Sequence, residues 1–248
     1  MKITGNTILI TGGTSGIGLG LARRFHAEGN TVIVAGRRET LLRQITAEHE
    51  GMDAVVLDIG DPLSIARCFT EVTTRHPELN VVINNAGVMV AEDLLDSAHL
   101  PVAETTVATN LLGPIRMVAA FLPFLTARTD AAVINVSSGL GFVPLPMTPT
   151  YSATKAALHS YTQSLRVQLA ATGVQVLELI PPAVQTDLMG QTDSPQAMPL
   201  QAFLTEVMGI IRDQPDLVEI CVDAVLALRT AEATGRHDAM LAMLSGVH

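Results

Sequence analysis

Tyr151-Ser152-Ala153-Thr154-Lys155 sets a phenol and an ammonium four residues apart. The chain has two tyrosines, and Lys155 and Lys2 are its only lysines. Random placement would put a lysine four places after a tyrosine roughly one time in sixty. Residues 150–168 lack internal Gly and Pro and repeat apolar residues at helical intervals, so the pair is expected on one helix face, one turn apart. A cation beside a phenol favours the phenolate. Lowering a tyrosine from about 10 to about 7 needs roughly 4 kcal/mol, of which Lys155 is expected to supply much and a second cation the rest. The chemistry on offer is proton exchange with an oxygen. The same spacing also suits an exposed pair whose stems lie along the surface, so the rest of the chain must decide.

What must hold such a pair is an alternation of strands and helices. Short apolar runs at 7–11, 31–35, 54–57, 81–83, 132–136 and 174–180 read as strands, and helical patterns occupy 19–27, 39–50, 63–75, 102–125 and 150–171. Continuous apolar strands separated by helices describe a parallel sheet buried on both faces. The expected fold is α/β, a doubly wound, Rossmann-like sheet of six main parallel strands in the order 3-2-1-4-5-6, with the 248 residues forming one domain. An excursion around 187–214 and a helical tail over 216–248, with 216–230 helical and no strand after 235, complete it. Ligands bind such sheets beyond the carboxyl ends of the strands, near the reversal of strand order.

Every other candidate falls at one of those ends. Gly12, Gly13, Thr14, Ser15, Gly16, Ile17 and Gly18 form a G-x-x-x-G-x-G turn between strand and helix, where glycines admit a phosphate to the backbone and the helix N-terminus offers free N–H groups. A plain tight turn would look similar. The second strand ends in Gly36-Arg37-Arg38-Glu39. Two guanidiniums and no carboxylate at the expected place favour a ribose 2′-phosphate, and hence NADP(H); Glu39 leaves NAD(H) possible. Asp58 suits an adenine amino group or a helix cap. Asn84-Asn85-Ala86-Gly87 offers small residues against which a cofactor could lie. Ser137-Ser138 ends the fifth strand, and a Ser138 hydroxyl could donate to a carbonyl oxygen. Pro114 has no N–H, so the carbonyl of Asn110 loses its helical partner; the helix should kink there, and the freed carbonyl could hold a water.

Taken together, residues 11–18, Asn84-Asn85-Ala86-Gly87, Asn110, Ser138, Tyr151 and Lys155 resemble the short-chain dehydrogenase/reductase family in its compact form, over about three quarters of the chain. The resemblance implies hydride exchange between a nicotinamide and a carbonyl or alcohol carbon. In it Tyr151 is the acid–base, Lys155 its partner and ribose ligand, Ser138 the substrate-orienting hydroxyl and Asn110 the anchor of a relay water. It also implies cofactor contacts at Ile59, Pro181, Val184 and Thr186. Pro182 stands where the family has glycine, and the expected seventh-strand signature is missing; the C-terminal part resembles a bacterial branch linked with lipoteichoic-acid operons. A dimer through the helix that carries Tyr151 is expected rather than a tetramer. A sensor or scaffold on the same fold, and an epimerase or dehydratase, are the alternatives; the first typically lacks the Tyr or Lys, the second needs a larger C-terminal domain.

Composition narrows the partners. Net charge is −9 and aromatics are 3% of residues, which leaves little for nucleic-acid binding. Cys68 and Cys221 lack metal-ligand spacing and read as free thiols in a reducing, cytoplasmic setting. No metal site and no membrane span are expected. The segments 139–149 and 187–204 should wall a pocket with Phe142, Val143, Leu145, Met147, Leu188, Met189, Met198 and Leu200, so the expected substrate is a largely apolar small carbonyl or alcohol.

Overall fold

The computed structural model describes residues 1–246. β1 (Thr7–Thr11), β2 (Thr31–Gly36) and β3 (Met52–Val56) pair in parallel, connected by α1 (Gly16–Ala27) and α2 (Glu39–Glu48). α3 (Pro62–Arg75) then returns the chain to β4 (Val81–Asn84), on the other side of β1. β5 (Ala132–Val136), β6 (Gln175–Ile180) and β7 (Glu219–Cys221) follow in space, giving the order β3-β2-β1-β4-β5-β6-β7. α4 (Leu100–Val107) and α5 (Gly113–Leu125) join β4 to β5, and α6 (Pro149–Gln168) joins β5 to β6. After β6 come α7 (Leu200–Asp213), α8 (Leu226–Arg229) and α9 (His237–Ser245).

The apolar strand runs divide between two cores because side chains alternate across the sheet. Ile8, Ile10, Val32, Val34 and Ile83 pack with Phe25 of α1 and Phe203 of α7. Leu9, Ile33, Val82 and Val133 pack with Val72 of α3 and Phe121 of α5. All of these strand residues are at most 1% exposed. At about 25 cal/mol per Å2 of apolar surface, two full layers of this kind supply the main drive for folding.

Two details differ from the sequence reading. A seventh strand exists where 216–230 was expected to be helical: β7 pairs Glu219, Ile220 and Cys221 with Glu178, Leu179 and Ile180. Three residues are too few for a strand period to stand out beside the helical spacing around them. Within the expected tail, α9 is helical, and the last two positions of that tail, 247–248, lie outside the described residues. The third strand starts at Met52, two residues earlier than expected.

The kink expected at Pro114 takes the form of a π turn over Ala108–Leu112, closed by Gly113 N–H on the carbonyl of Ala108. The surrounding stretch Ser97–Leu125 is long and apolar enough by composition to cross a membrane, with mean hydropathy 1.4. Its Met117, Phe121 and Leu125 are buried against the sheet, so it reads as a core helix with an open outer face.

Candidate active site

The order of strands reverses between β1 and β4, and a cleft of about 640 Å3 opens there at the carboxyl ends of the strands. Its floor is backbone. Gly12 has φ +67°, and a Cβ there would lie 2.8 Å from Cα of Ala86. A Cβ on Gly18 would lie 2.3 Å from the Gly12 carbonyl oxygen. Thr11 locks this turn to the end of β4: its hydroxyl accepts from the N–H groups of Asn85 and Ala86, both at 3.0 Å, and its carbonyl accepts from Asn85 Nδ2 at 3.0 Å. The first N–H groups of α1 have no side-chain cap. The Ser15 hydroxyl, placed to cap them, accepts from Arg38 at 2.8 Å instead, and Arg38 also donates to Thr14 Oγ1 at 2.7 Å. Backbone donors and a guanidinium thus converge on one small space, a cradle for a phosphate.

Arg37, Arg38, Asp58 and Ile59 line the same cleft. Asp58 is held by the N–H of Gly60 on Oδ1 at 2.9 Å. Glu39 pairs with Arg43 along α2 at 3.4 Å and does not line the cleft. At the opposite wall, Pro181, Pro182, Val184 and Thr186 follow β6, and the Thr186 methyl would lie 3.3 Å from a Cβ on Gly16. The proline at 182 is accommodated: the carbonyl of Pro181 accepts from Gly139 N–H at 2.9 Å, and Val184 bridges to Met198.

Ser138, Tyr151 and Lys155 meet in this cleft. Pro149 opens α6 at a position that needs no N–H, and Glu92 caps the helix from the loop after β4, accepting from Thr150 N at 3.1 Å and Thr150 Oγ1 at 2.7 Å. Tyr151 is 7% and Lys155 4% exposed. Lys155 Nζ donates to the carbonyl of Val136 at 2.8 Å and lies 5.5 Å from the centre of the Tyr151 ring. The Ser138 hydroxyl lies near enough to the phenol to favour its ionised form, and its oxygen accepts from Leu140 N–H at 3.1 Å. Gly87 leaves room for this group: a Cβ there would stand 3.3 Å from Asn110 Oδ1 and 3.8 Å from Lys155 Nζ. Asn110 is fully buried in the π turn and does not line the cleft. Its amide grips Val88 instead, accepting from the N–H and donating to the carbonyl, both at 2.8 Å.

The electrostatics correct one expectation. Burial pushes the Tyr151 phenol up to about 12, against a smaller opposing pull from Ser138. Burial also brings Lys155 down to about 8, with the Glu178 carboxylate opposing. Lys155 alone therefore does not make Tyr151 acidic. Taking each group out of water is the largest effect on it.

The apolar wall needs correcting as well. Of the eight side chains expected there, Leu145 and Leu188 line the cleft. Val143 is fully buried, Met147 is exposed, Met198 and Leu200 pack on the core, Phe142 lies beneath Arg229, and Met189 is half-buried outside the cleft. In their place stand Val88 and Met89 from the loop after β4, and Leu228 and Leu244 from α8 and α9. Leu228 also packs on Gly139, beside Ser138. No short-range pattern in the sequence marks these residues, because the tail reaches the cleft only through the tertiary fold.

Known proteins share this fold. Residues 6–197 match the short chain dehydrogenase family. An uncharacterized oxidoreductase of Bacillus subtilis, DltE, is 38% identical over 207 residues, covering 83% of this chain and 82% of that protein, in keeping with the bacterial branch resembled by the C-terminal part. A short chain dehydrogenase from Burkholderia cenocepacia, solved in complex with NADP, superposes with a TM-score of 0.83 at 26% identity, covering 98% of this chain and 99% of that one. The closed form of a serine dehydrogenase complexed with NADP+ gives 0.78 at 26% identity, covering 86% and 92%. The chain belongs to the short-chain dehydrogenase family.

Proposed function

We propose that the protein is an NADP(H)-dependent oxidoreductase that interconverts a carbonyl and an alcohol on a largely apolar small molecule. The observation that carries this is one cleft that joins a glycine-built phosphate cradle and two arginines to the Ser138, Tyr151 and Lys155 side chains. A dinucleotide bound there supplies the hydride. The cradle and the uncapped start of α1 would hold its pyrophosphate, Arg37 and Arg38 a 2′-phosphate, and Asp58 and Ile59 the adenine side. Gly87, Lys155, Pro181, Val184 and Thr186 would flank the nicotinamide end. The NADP complexes of the two structural relatives support the same choice, and the ion pair between Glu39 and Arg43 weakens the case for NAD(H).

Tyr151 would exchange the proton. With its phenol pushed up to about 12, it stays protonated at neutral pH, the form that donates to a carbonyl oxygen. Alcohol oxidation needs the phenolate, and for that direction the positive charge of an oxidised nicotinamide would add to that of Lys155. Ser138 would orient the substrate oxygen. Asn110 would act by fixing Val88 and the loop at Gly87, and Pro114 leaves its carbonyl without an i+4 donor for a relay water. Leu145, Leu188, Leu228 and Leu244 favour an apolar substrate. We further propose a cytoplasmic homodimer that packs through α6.

Purified protein assayed with NADPH and with NADH against a panel of apolar aldehydes and ketones tests the reading. NADPH-dependent reduction with a preference of tenfold or more over NADH is expected, on the order of a single charge-assisted contact. A preference for NADH, or turnover confined to carboxylated or phosphorylated carbonyls, overturns it.

A further inference from the structure

β6 carries a carboxylate into an otherwise apolar strand: Glu178 is wholly buried between Leu177 and Leu179. A buried charge is tolerated when its lone pairs are bonded and an opposite charge stands nearby. Both Glu178 oxygens have donors, Ser137 Oγ on Oε1 at 2.5 Å and His159 Nδ1 on Oε2 at 2.7 Å. Both donors border the active group. Ser137 precedes Ser138, and His159 follows Lys155 by one turn of α6. In the sheet, Glu178 sits beside Asn135 of β5, next to Val136, whose carbonyl receives Lys155 Nζ.

The other groups around this point are accounted for. α6 presents Lys155, His159 and Arg166, β7 presents Glu219 and Cys221, and α8 presents Arg229. Arg229 forks Glu219 at 2.8 and 2.9 Å. Donor atoms of His159, Glu178 and Glu219 lie within 4.8 Å of one another, a spacing a metal ion could bridge. Arg229 already supplies a positive partner there and His159 a hydrogen bond, so the cluster reads as a polar network. Within it, Glu178 is the carboxylate whose charge favours the Lys155 ammonium against burial.

Building on the proton-transfer reading above, we propose that Glu178 is the buried counter-ion that keeps Lys155 protonated, a positioning residue held in place by Ser137 and His159. Full-length protein labelled with 13Cε-lysine offers a direct test, because Lys2 and Lys155 give the only two signals and Lys155→Met assigns them. In the wild type the Lys155 signal should titrate near 8. In Glu178→Gln the midpoint should fall by about one unit or more, while Ser137→Ala, which keeps the charge, leaves it near the wild-type value. The alkaline limb of the kcat–pH profile should move the same way, which a merely structural role would not produce. Should Glu178→Gln fail to fold, Glu178→Asp is expected to shift the midpoint in the same direction by less. An unchanged or raised midpoint in whichever variant folds overturns the proposal. The titration needs neither substrate nor dinucleotide, so it can fail while NADPH turnover succeeds, and the reverse.

Discussion

The two ends of the cleft are made of different material. At the β1–β2–β3 end the surface is backbone, with glycines whose missing Cβ atoms leave the space and hydrogen bonds of 3.0 Å that fix Thr11 to Asn85 and Ala86. At the β5–β6–β7 end it is side chain, where Tyr151 and Lys155 stand on a helix capped by Glu92 and the outer wall comes from Leu228 and Leu244. Backbone sites tolerate almost no added atoms and suit a ligand common to many enzymes. Side-chain sites can change a residue at a time and suit a ligand peculiar to one.

That contrast can be broken most severely at Gly18. Gly18→Val places a Cβ 2.3 Å from the Gly12 carbonyl oxygen, so NADPH binding, followed by nucleotide fluorescence, should fall below detection. Retained affinity would mean that the floor is not a fixed backbone surface. Next in size is the ribose site: in Arg37→Ala/Arg38→Ala the ratio of NADPH to NADH kcat/KM should drop by roughly 10- to 100-fold, with NADH turnover little changed. On the side-chain end, Leu228→Ala/Leu244→Ala should raise KM for bulky apolar carbonyls by about 10-fold and leave the smallest aldehydes nearly unaffected. A uniform loss for all substrates would instead mark those leucines as packing alone.

The smallest effect is on stability. Lys155 lies below its ordinary 10.5, at about 8, so its ammonium costs the fold stability in full below pH 8, and the cost is gone above 10.5. Lys155→Met should therefore raise Tm by roughly 5 °C at pH 7, and the gain should shrink between pH 8 and 10.5. A pH-independent difference would show that the ammonium is not the source. The same variant should be inactive, so the active end carries a cost that the phosphate end lacks.

What the sequence made legible follows the same division. The turn at 11–18, the arginines after β2 and the Tyr151–Lys155 spacing are local patterns, each set by a few consecutive residues, and the structure brings them to one cleft. β7 was hidden because three residues in register with β6 leave no period to read. Leu228 and Leu244 were hidden because their place depends on how the tail folds back across the sheet. The high Tyr151 value was hidden for a related reason, since it reflects burial that only the packed structure reveals. Glu178 looks like a solvated residue in a strand until the side chains of Ser137 and His159 are seen on it.

Proton transfer by the Tyr151 phenol is tested most directly by replacing it with Phe and measuring NADPH-dependent carbonyl reduction alongside NADPH affinity. The ring and its packing survive the change and the proton does not. A fall in kcat of about 1,000-fold with affinity held within a few fold is expected; turnover close to that of the wild type would contradict the assignment.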